Sequence, residues 1–307
     1  MESDTVLVTG GAGFIGHHLT SALLSHGRKV KVLDNFSSGT QLPSHPLLTV
    51  IEGDMSESSV RKEALHDIKS VINLAAIASV PLCESKPELS SRVNFLAAQE
   101  LFKDAFRSGV STIIQASTSA LYGIPNELPL TEKSLIQPIG NYGLHKQKAE
   151  ESLLSFHEHP VCALRLFNVF GVGQKRGSPY SGVLTIFSDN INKKLPLKIF
   201  GDGHQSRDFI HVNDVVSAFI LCLKDLEING TNSKVSGNIF NVCSGNSVTL
   251  LEIIDSFSSF RNSEIEVNFE SPREGDIMHS LGSFEFLNNQ IDWRPSENFI
   301  ERLRELL

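Results

Sequence analysis

Thr5-Val6-Leu7-Val8-Thr9-Gly10-Gly11-Ala12-Gly13-Phe14-Ile15-Gly16 is the stretch that decides the fold. A β-branched apolar run enters a glycine-rich turn, and beyond it apolar residues recur three or four apart as far as Ser25. A strand that turns through glycines into a helix opens a dinucleotide-binding unit. Gly10 supplies a tight turn, Gly13 a close backbone approach and Gly16 close helix–sheet packing. A pyrophosphate would rest at the helix N-terminus, where free amides and the helix dipole favour negative charge, so Phe14 and Ile15 are expected cofactor contacts too. The spacing is G-x-x-G-x-x-G, and an ordinary strand–helix turn could share it, so the context has to carry the reading.

Asp34 ends the next β-branched run, 18 residues after Gly16. A carboxylate there can accept hydrogen bonds from the adenosine ribose and would repel a 2′-phosphate, which favours NAD over NADP. The alternative is a turn-forming Asp before Asn35. Gly53-Asp54-Met55 follows the third run and could place Asp54 and Met55 near adenine, or Asp54 could be a helix N-cap. Asn73-Leu74-Ala75-Ala76 ends the fourth run, where small side chains would let backbone approach the cofactor.

Outward from these turns, strands are expected at 6–9, 29–33, 48–52, 71–74, 112–115 and 161–166, with helices at 14–25, 57–65, 88–107 and 142–157. Alternation of this kind predicts an α/β fold, a doubly wound parallel Rossmann sheet. After Arg165 the pattern loosens, then returns as a helix over 213–223 and a strand over 238–242. The expected division is an NAD-binding domain of residues 1–166 plus about 209–243, and a smaller, discontinuous C-terminal substrate lobe of about 167–208 plus 244–307.

The formal net charge of −8 and the lack of a basic stripe argue against a nucleic-acid surface. Cys83, Cys162, Cys222 and Cys243 are widely spaced without a C-x-x-C, so no metal site is expected and the thiols read as reduced core residues. No uncharged run reaches the length of about 18 residues needed to span a bilayer, and no signal-like segment precedes Thr5. A cytoplasmic protein without membrane partners is expected.

Tyr142 and Lys146 stand at i and i+4, on one face of a helix. A free tyrosine titrates near 10 and is a poor base, but a neighbouring ammonium and a nicotinamidium ring would favour the phenolate. Ala116-Ser117-Thr118-Ser119-Ala120-Leu121-Tyr122-Gly123 leaves the fifth strand, where a doubly wound sheet borders its ligand crevice. These three signals follow one another in chain order on one architecture.

With those residues in place, the chain resembles the extended short-chain dehydrogenase/reductase family, and within it the UDP-hexose 4-epimerases. The matching segments are TGGAGFIG from Thr9, LDNFSSG from Leu33, ASTSALYG from Ala116, YGLHK from Tyr142, RLFNVFG from Arg165, SPYSGV from Ser178, IFGDGHQSRDFIHVND from Ile199, FNVCSG from Phe240 and PREGD from Pro272. The resemblance implies a catalytic Thr118–Tyr142–Lys146 triad, with Ser119 the weaker candidate for the hydroxyl. It implies nucleotide contacts at Asn168, Arg207 and Arg273, where charge-assisted bonds suit a diphosphate, and substrate contacts at Ser79, Val183 and Ser280. It also implies a UDP-sugar substrate and a homodimer paired through the helices at 88–107 and 142–157. The chain departs from the pattern at Asn73, where histidine is frequent, and at Gly140-Asn141, where Ser or Pro is usual.

The resemblance leaves 4-epimerisation, 4,6-dehydration and C6 decarboxylation, all of which begin by oxidising C4. Related dehydratases carry Asp-Glu after the catalytic Thr and decarboxylases a Glu two residues after it. Ser119 and Ala120 occupy those places and can do neither job, so epimerisation is expected. The alternatives are another NAD-dependent sugar-nucleotide dehydratase or reductase, or a noncatalytic sugar-nucleotide-binding protein. In related epimerases the seventh residue after the Arg of R-E-G-D borders the hexose 2-substituent. Here it is Ser280, small enough to leave room for N-acetyl.

Overall fold

The structure, a computed structural model, describes residues 4–177, 180–273 and 275–307. The first half runs β1 (Thr5–Thr9), α1 (Phe14–Ser25), β2 (Lys29–Asp34), β3 (Leu48–Glu52), α2 (Ser58–Ala64) and β4 (Ser70–Asn73). It continues with α3 (Val80–Ser85), α4 (Pro87–Ser91), α5 (Ala97–Arg107), β5 (Thr112–Thr118), α6 (Gly140–Leu154) and β6 (Val161–Leu166). The second half runs β7 (Asn168–Phe170), α7 (Val183–Asn192), β8 (Leu197–Phe200), β9 (Ser206–His211), α8 (Val212–Asn229) and β10 (Asn238–Val242). It ends with β11 (Ser247–Thr249), α9 (Leu250–Arg261), β12 (Val267–Glu270), α10 (Glu285–Ile291) and α11 (Phe299–Arg304).

Seven strands form one parallel sheet in the order β10-β6-β5-β4-β1-β2-β3. The order reverses between β1 and β4, which opens the crevice at the carboxyl ends of the strands where doubly wound sheets hold their ligands. Most of these strands are covered on both faces, so β4, β5 and β6 are buried at every residue and show no alternation. Leu19 and Leu23 of α1 pack with Val215 and Phe219 of α8 on one face. Leu101 and Phe102 of α5 pack with Ala149 and Leu153 of α6 on the other.

Small sheets β11-β9-β7 and β12-β8 build the lobe beside the sheet. Its core is separate: Phe170, Phe187, Ile199, Phe209, Ile253 and Phe257 cluster there. The chain then returns through α8 and β10 to the edge of the large sheet. The expected single helix at 88–107 is instead α4, a π-helical turn over Arg92–Leu96, and α5. The π turn buries Asn94, whose side chain accepts from Ile77 N at 2.7 Å and donates to Ile77 O at 3.0 Å. An inserted turn of this kind rotates a side chain towards a loop that a regular helix would miss. Among the described residues, no helix is long and apolar enough to cross a membrane.

Candidate active site

The glycine turn packs as its spacing demands. Gly10 has φ +68°, and a Cβ there would stand 2.8 Å from Ala75 N; a Cβ on Gly16 would stand 2.2 Å from Gly10 O. A Cβ on Gly13 would stand 3.2 Å from Gly10 O. Gly13 is also the N-cap of α1, with no side chain closing the helix, so the first amides are left for a ligand.

Asp34 makes the local turn that was one of its two readings, and a bond that neither reading foresaw. Its Oδ1 accepts from Phe36 N at 2.8 Å, a local turn, while Oδ2 accepts from Ala12 N at 2.9 Å and ties the end of β2 to the glycine turn. The Oδ1 of Asn35 accepts from Ser37 N in a similar turn. Asp54 is not the N-cap of α2, which is Glu57; its Oδ1 accepts from Ser56 N at 2.8 Å. Met55 is buried in the core beside it.

A cleft of about 580 Å³ runs along the carboxyl ends of the strands. Gly10, Gly13, Phe14, Ile15, Gly16, Leu74 and Ala76 line one end, Thr118, Tyr142 and Lys146 the middle, and Asn168, Val183, Arg207 and Ser280 the lobe side. Asp34, Asn35, Asp54, Met55, Ala75, Ser79 and Arg273 are not on its wall. Ser79 caps α3, accepting from Leu82 N, and the Arg273 guanidinium lies 3.7 Å from the centre of the Phe200 ring. Ser178, Pro179 and Glu274, which the sequence motifs include, lie outside the described residues.

Thr118 closes β5, and Tyr142 rises from the first turn of α6 beside the Thr118 side chain, near enough for that hydroxyl to favour the phenolate. Lys146, one turn on, is buried and donates from Nζ to the Ala116 carbonyl. The structure revises the expected electrostatics. Burial pushes the Tyr142 phenol up to about 12, against the Thr118 hydroxyl that lowers it. Burial likewise draws Lys146 down to about 8, against the pull of Glu150. Within the protein alone, desolvation outweighs the neighbouring Thr118 hydroxyl and favours the neutral phenol.

Asn73 is more than a departure from the pattern. Thr9 Oγ1 donates to Asn73 Oδ1 at 2.5 Å, Asn73 Nδ2 to Gln115 Oε1 at 2.6 Å, and Gln115 Nε2 to Ala116 O at 2.6 Å. An amide can accept on one side and donate on the other, so this buried chain ends on the same carbonyl that holds Lys146. Ser117, buried on the cleft wall, has no hydrogen-bond partner for its Oγ.

On the lobe side, Arg207 donates to Asp276 Oδ1 at 2.7 Å and to Ser206 O at 3.0 Å. Burial lowers its pKa and Asp276 opposes that. Sequence reasoning missed Asp208, which is fully buried and accepts from the backbone of Ser244, Gly245 and Gly282. It fixes the segment that carries Ser280, and its signal was an aspartate directly before the apolar pair Phe209-Ile210. His17, His18, Lys175, Tyr180 and His279 also line the cleft and were not anticipated.

The uncapped helix start and the glycine cradle fit a dinucleotide laid from the β1 turn towards Tyr142. Comparison with known proteins agrees. A UDP-glucose 4-epimerase of Yersinia enterocolitica is 30% identical over 98% of this chain and 96% of its own length. A solved UDP-N-acetylglucosamine 4-epimerase from Methanobrevibacter ruminantium, in complex with UDP-N-acetylmuramic acid, is 36% identical with a TM-score of 0.91, covering 100% of this chain and 97% of that one. A Thermus thermophilus UDP-glucose 4-epimerase in complex with NAD is 30% identical with a TM-score of 0.87, covering 98% and 97%. Residues 6–243 match the NAD dependent epimerase/dehydratase family, and the chain belongs to that family.

Proposed function

We propose that Tyr142, Thr118 and Lys146 carry the activity of this enzyme, the NAD-dependent 4-epimerisation of a UDP-hexose. The observation that carries the assignment is that Thr118, Tyr142 and Lys146 meet on the wall of one cleft whose two ends suit a dinucleotide and a sugar diphosphate. NAD, when bound, supplies the reversible acceptor for hydrogen at C4 and a positive ring charge. Tyr142 takes the proton from the 4-hydroxyl and returns it, and Thr118 holds the 4-oxygen. Asn168, Arg207 and Arg273 anchor the diphosphate while the 4-keto sugar turns its other face. Ser119 and Ala120 offer no acid or base for dehydration or decarboxylation. Tyr142→Phe should keep the fold and bound NAD and lose at least ~10²-fold in turnover. A folded Tyr142→Phe protein with near-normal turnover would remove Tyr142 from this role.

The substrates we assign are UDP-GlcNAc and UDP-GalNAc alongside UDP-Glc and UDP-Gal, with Ser280 leaving room for the 2-substituent. In support, Ser280 lines the cleft, and the Methanobrevibacter relative is named for an N-acetylated sugar. The dinucleotide takes the large sheet, and the sugar nucleotide takes the lobe of about 167–208 plus 244–307, which is supported by a separate cluster around Phe187, Ile199 and Phe257, although Leu287 and Trp293 pack against the large sheet. We further propose a homodimer, supported by Leu96 beside α5 and Leu144 on α6, apolar side chains left exposed on adjacent helices. A cytoplasmic location is supported by four buried cysteines, all free.

A further inference from the structure

Gly140-Asn141, the departure beside the catalytic tyrosine, has a partner in the fold. These are the first two residues of α6, and Ile139 at the N-cap makes no side-chain cap. The cap comes from another element. Glu84, near the end of α3, accepts from Asn141 N through Oε1 at 2.5 Å and from Asn141 Nδ2 through Oε2 at 2.9 Å. Gly140 has φ +79°, and a Cβ there would stand 2.3 Å from Glu84 Oε1. The backbone conformation favours glycine, and a Cβ there would push the carboxylate aside. The carboxylate also meets the positive end of the helix dipole.

Tyr142 is the next residue along. On the other side, α3 follows directly from the loop after β4, and its first residue, Val80, lines the cleft. Glu84 thus joins the wall of the cleft to the turn of helix that presents the phenol.

We propose that Glu84 is a positioning residue for Tyr142, clamping the first turn of α6 so that the phenol stays against Thr118. The proposal rests on the reading of Tyr142 as the base. Without the clamp the Asn141 backbone amide and side-chain amide lose their partner and the turn frays, carrying Tyr142 with it. The diphosphate contacts on the lobe are untouched, so the loss falls on kcat and not on KM.

The test measures kcat, KM for UDP-glucose, NAD content and Tm for the holoenzyme and for Glu84→Ala, Glu84→Gln, Gly140→Ala and Tyr142→Phe. Glu84→Ala should lower kcat about tenfold, because small misplacements of reacting groups cost this much or more. Its KM should stay within about twofold of the parent, with NAD content and Tm unchanged. Glu84→Gln keeps an acceptor for Asn141 N and should recover most of the loss. Gly140→Ala displaces the carboxylate without removing it and should show the same split, which keeps the test decisive if Glu84→Ala does not accumulate as folded protein. Parent-like kcat in Glu84→Ala overturns the clamp, as does a kcat loss matched by a rise in KM or by loss of NAD, or a Gln variant as impaired as the Ala variant. A Tyr142→Phe enzyme that still turns over would overturn the base assignment itself. An inactive Tyr142→Phe beside a fully active Glu84→Ala would overturn the clamp alone.

Discussion

Ser280 shows how much one small side chain can decide. It is buried on the lobe wall of the cleft, and its backbone is fixed on both sides, donating to Ser206 O at 3.0 Å and accepting from Ser247 Oγ at 3.0 Å. A larger side chain there cannot retreat by moving its main chain, so it has to enter the cleft. Ser280→Tyr should therefore abolish turnover of the UDP-GlcNAc/UDP-GalNAc pair while largely sparing UDP-Glc/UDP-Gal. Measuring both pairs side by side decides it: equal losses, or a parent enzyme confined to the plain hexoses, would remove Ser280 as the gate. Room alone does not bring affinity, because a buried acetamide also needs hydrogen-bond partners to offset its desolvation.

At the scale of the element, α6 presents the chemistry and is anchored along its length. Glu84 holds its start, Lys146 reaches Ala116 of β5, and Glu150 pairs with Arg165 of β6 through bonds of 2.5 and 3.1 Å. Burial alone would pull the Arg165 guanidinium down, but Glu150 outweighs it and holds it above its ordinary value. Arg165 also donates to the Tyr122 hydroxyl at 3.0 Å, which in turn donates to Asn241 of β10 at 2.6 Å. Removing one partner of such a pair leaves a charge stranded in the core. Glu150→Ala should cost about 3–5 kcal/mol of stability, read as a lower urea midpoint in equilibrium unfolding. A midpoint within error of the parent would show that Arg165 finds another partner.

At the scale of the molecule, one cleft serves a large sheet and a separate lobe. The dimer we propose would cover Leu96 on the π turn and Leu144 on α6, which are 46% and 38% exposed among otherwise polar outward faces. Light scattering at micromolar concentration should return twice the mass of one chain, and Leu144→Glu should shift it towards the monomer. A monomeric mass for the parent would end the dimer reading.

The sequence by itself determined the sheet and the glycine turn, because both are written in short-range rules. Strands β1, β2, β3, β4, β5 and β6, helix α1 and strand β10 follow from β-branched runs, 3.6-residue periods and glycines whose spacing no other residue could satisfy. Tyr142 and Lys146 were legible from one helical turn. The tertiary structure decided what depends on partners far along the chain. Glu84 caps a helix that starts 56 residues later, Asn94 turns inward only through a π turn, and Asp208 gathers amides from residues 244, 245 and 282. The same holds for charge: periodicity placed Lys146 beside Tyr142, but only burial could show that desolvation outweighs that proximity, raising the phenol and lowering the ammonium. Local spacing fixes which residues can meet, whereas the solvation that sets their protonation belongs to the packed molecule.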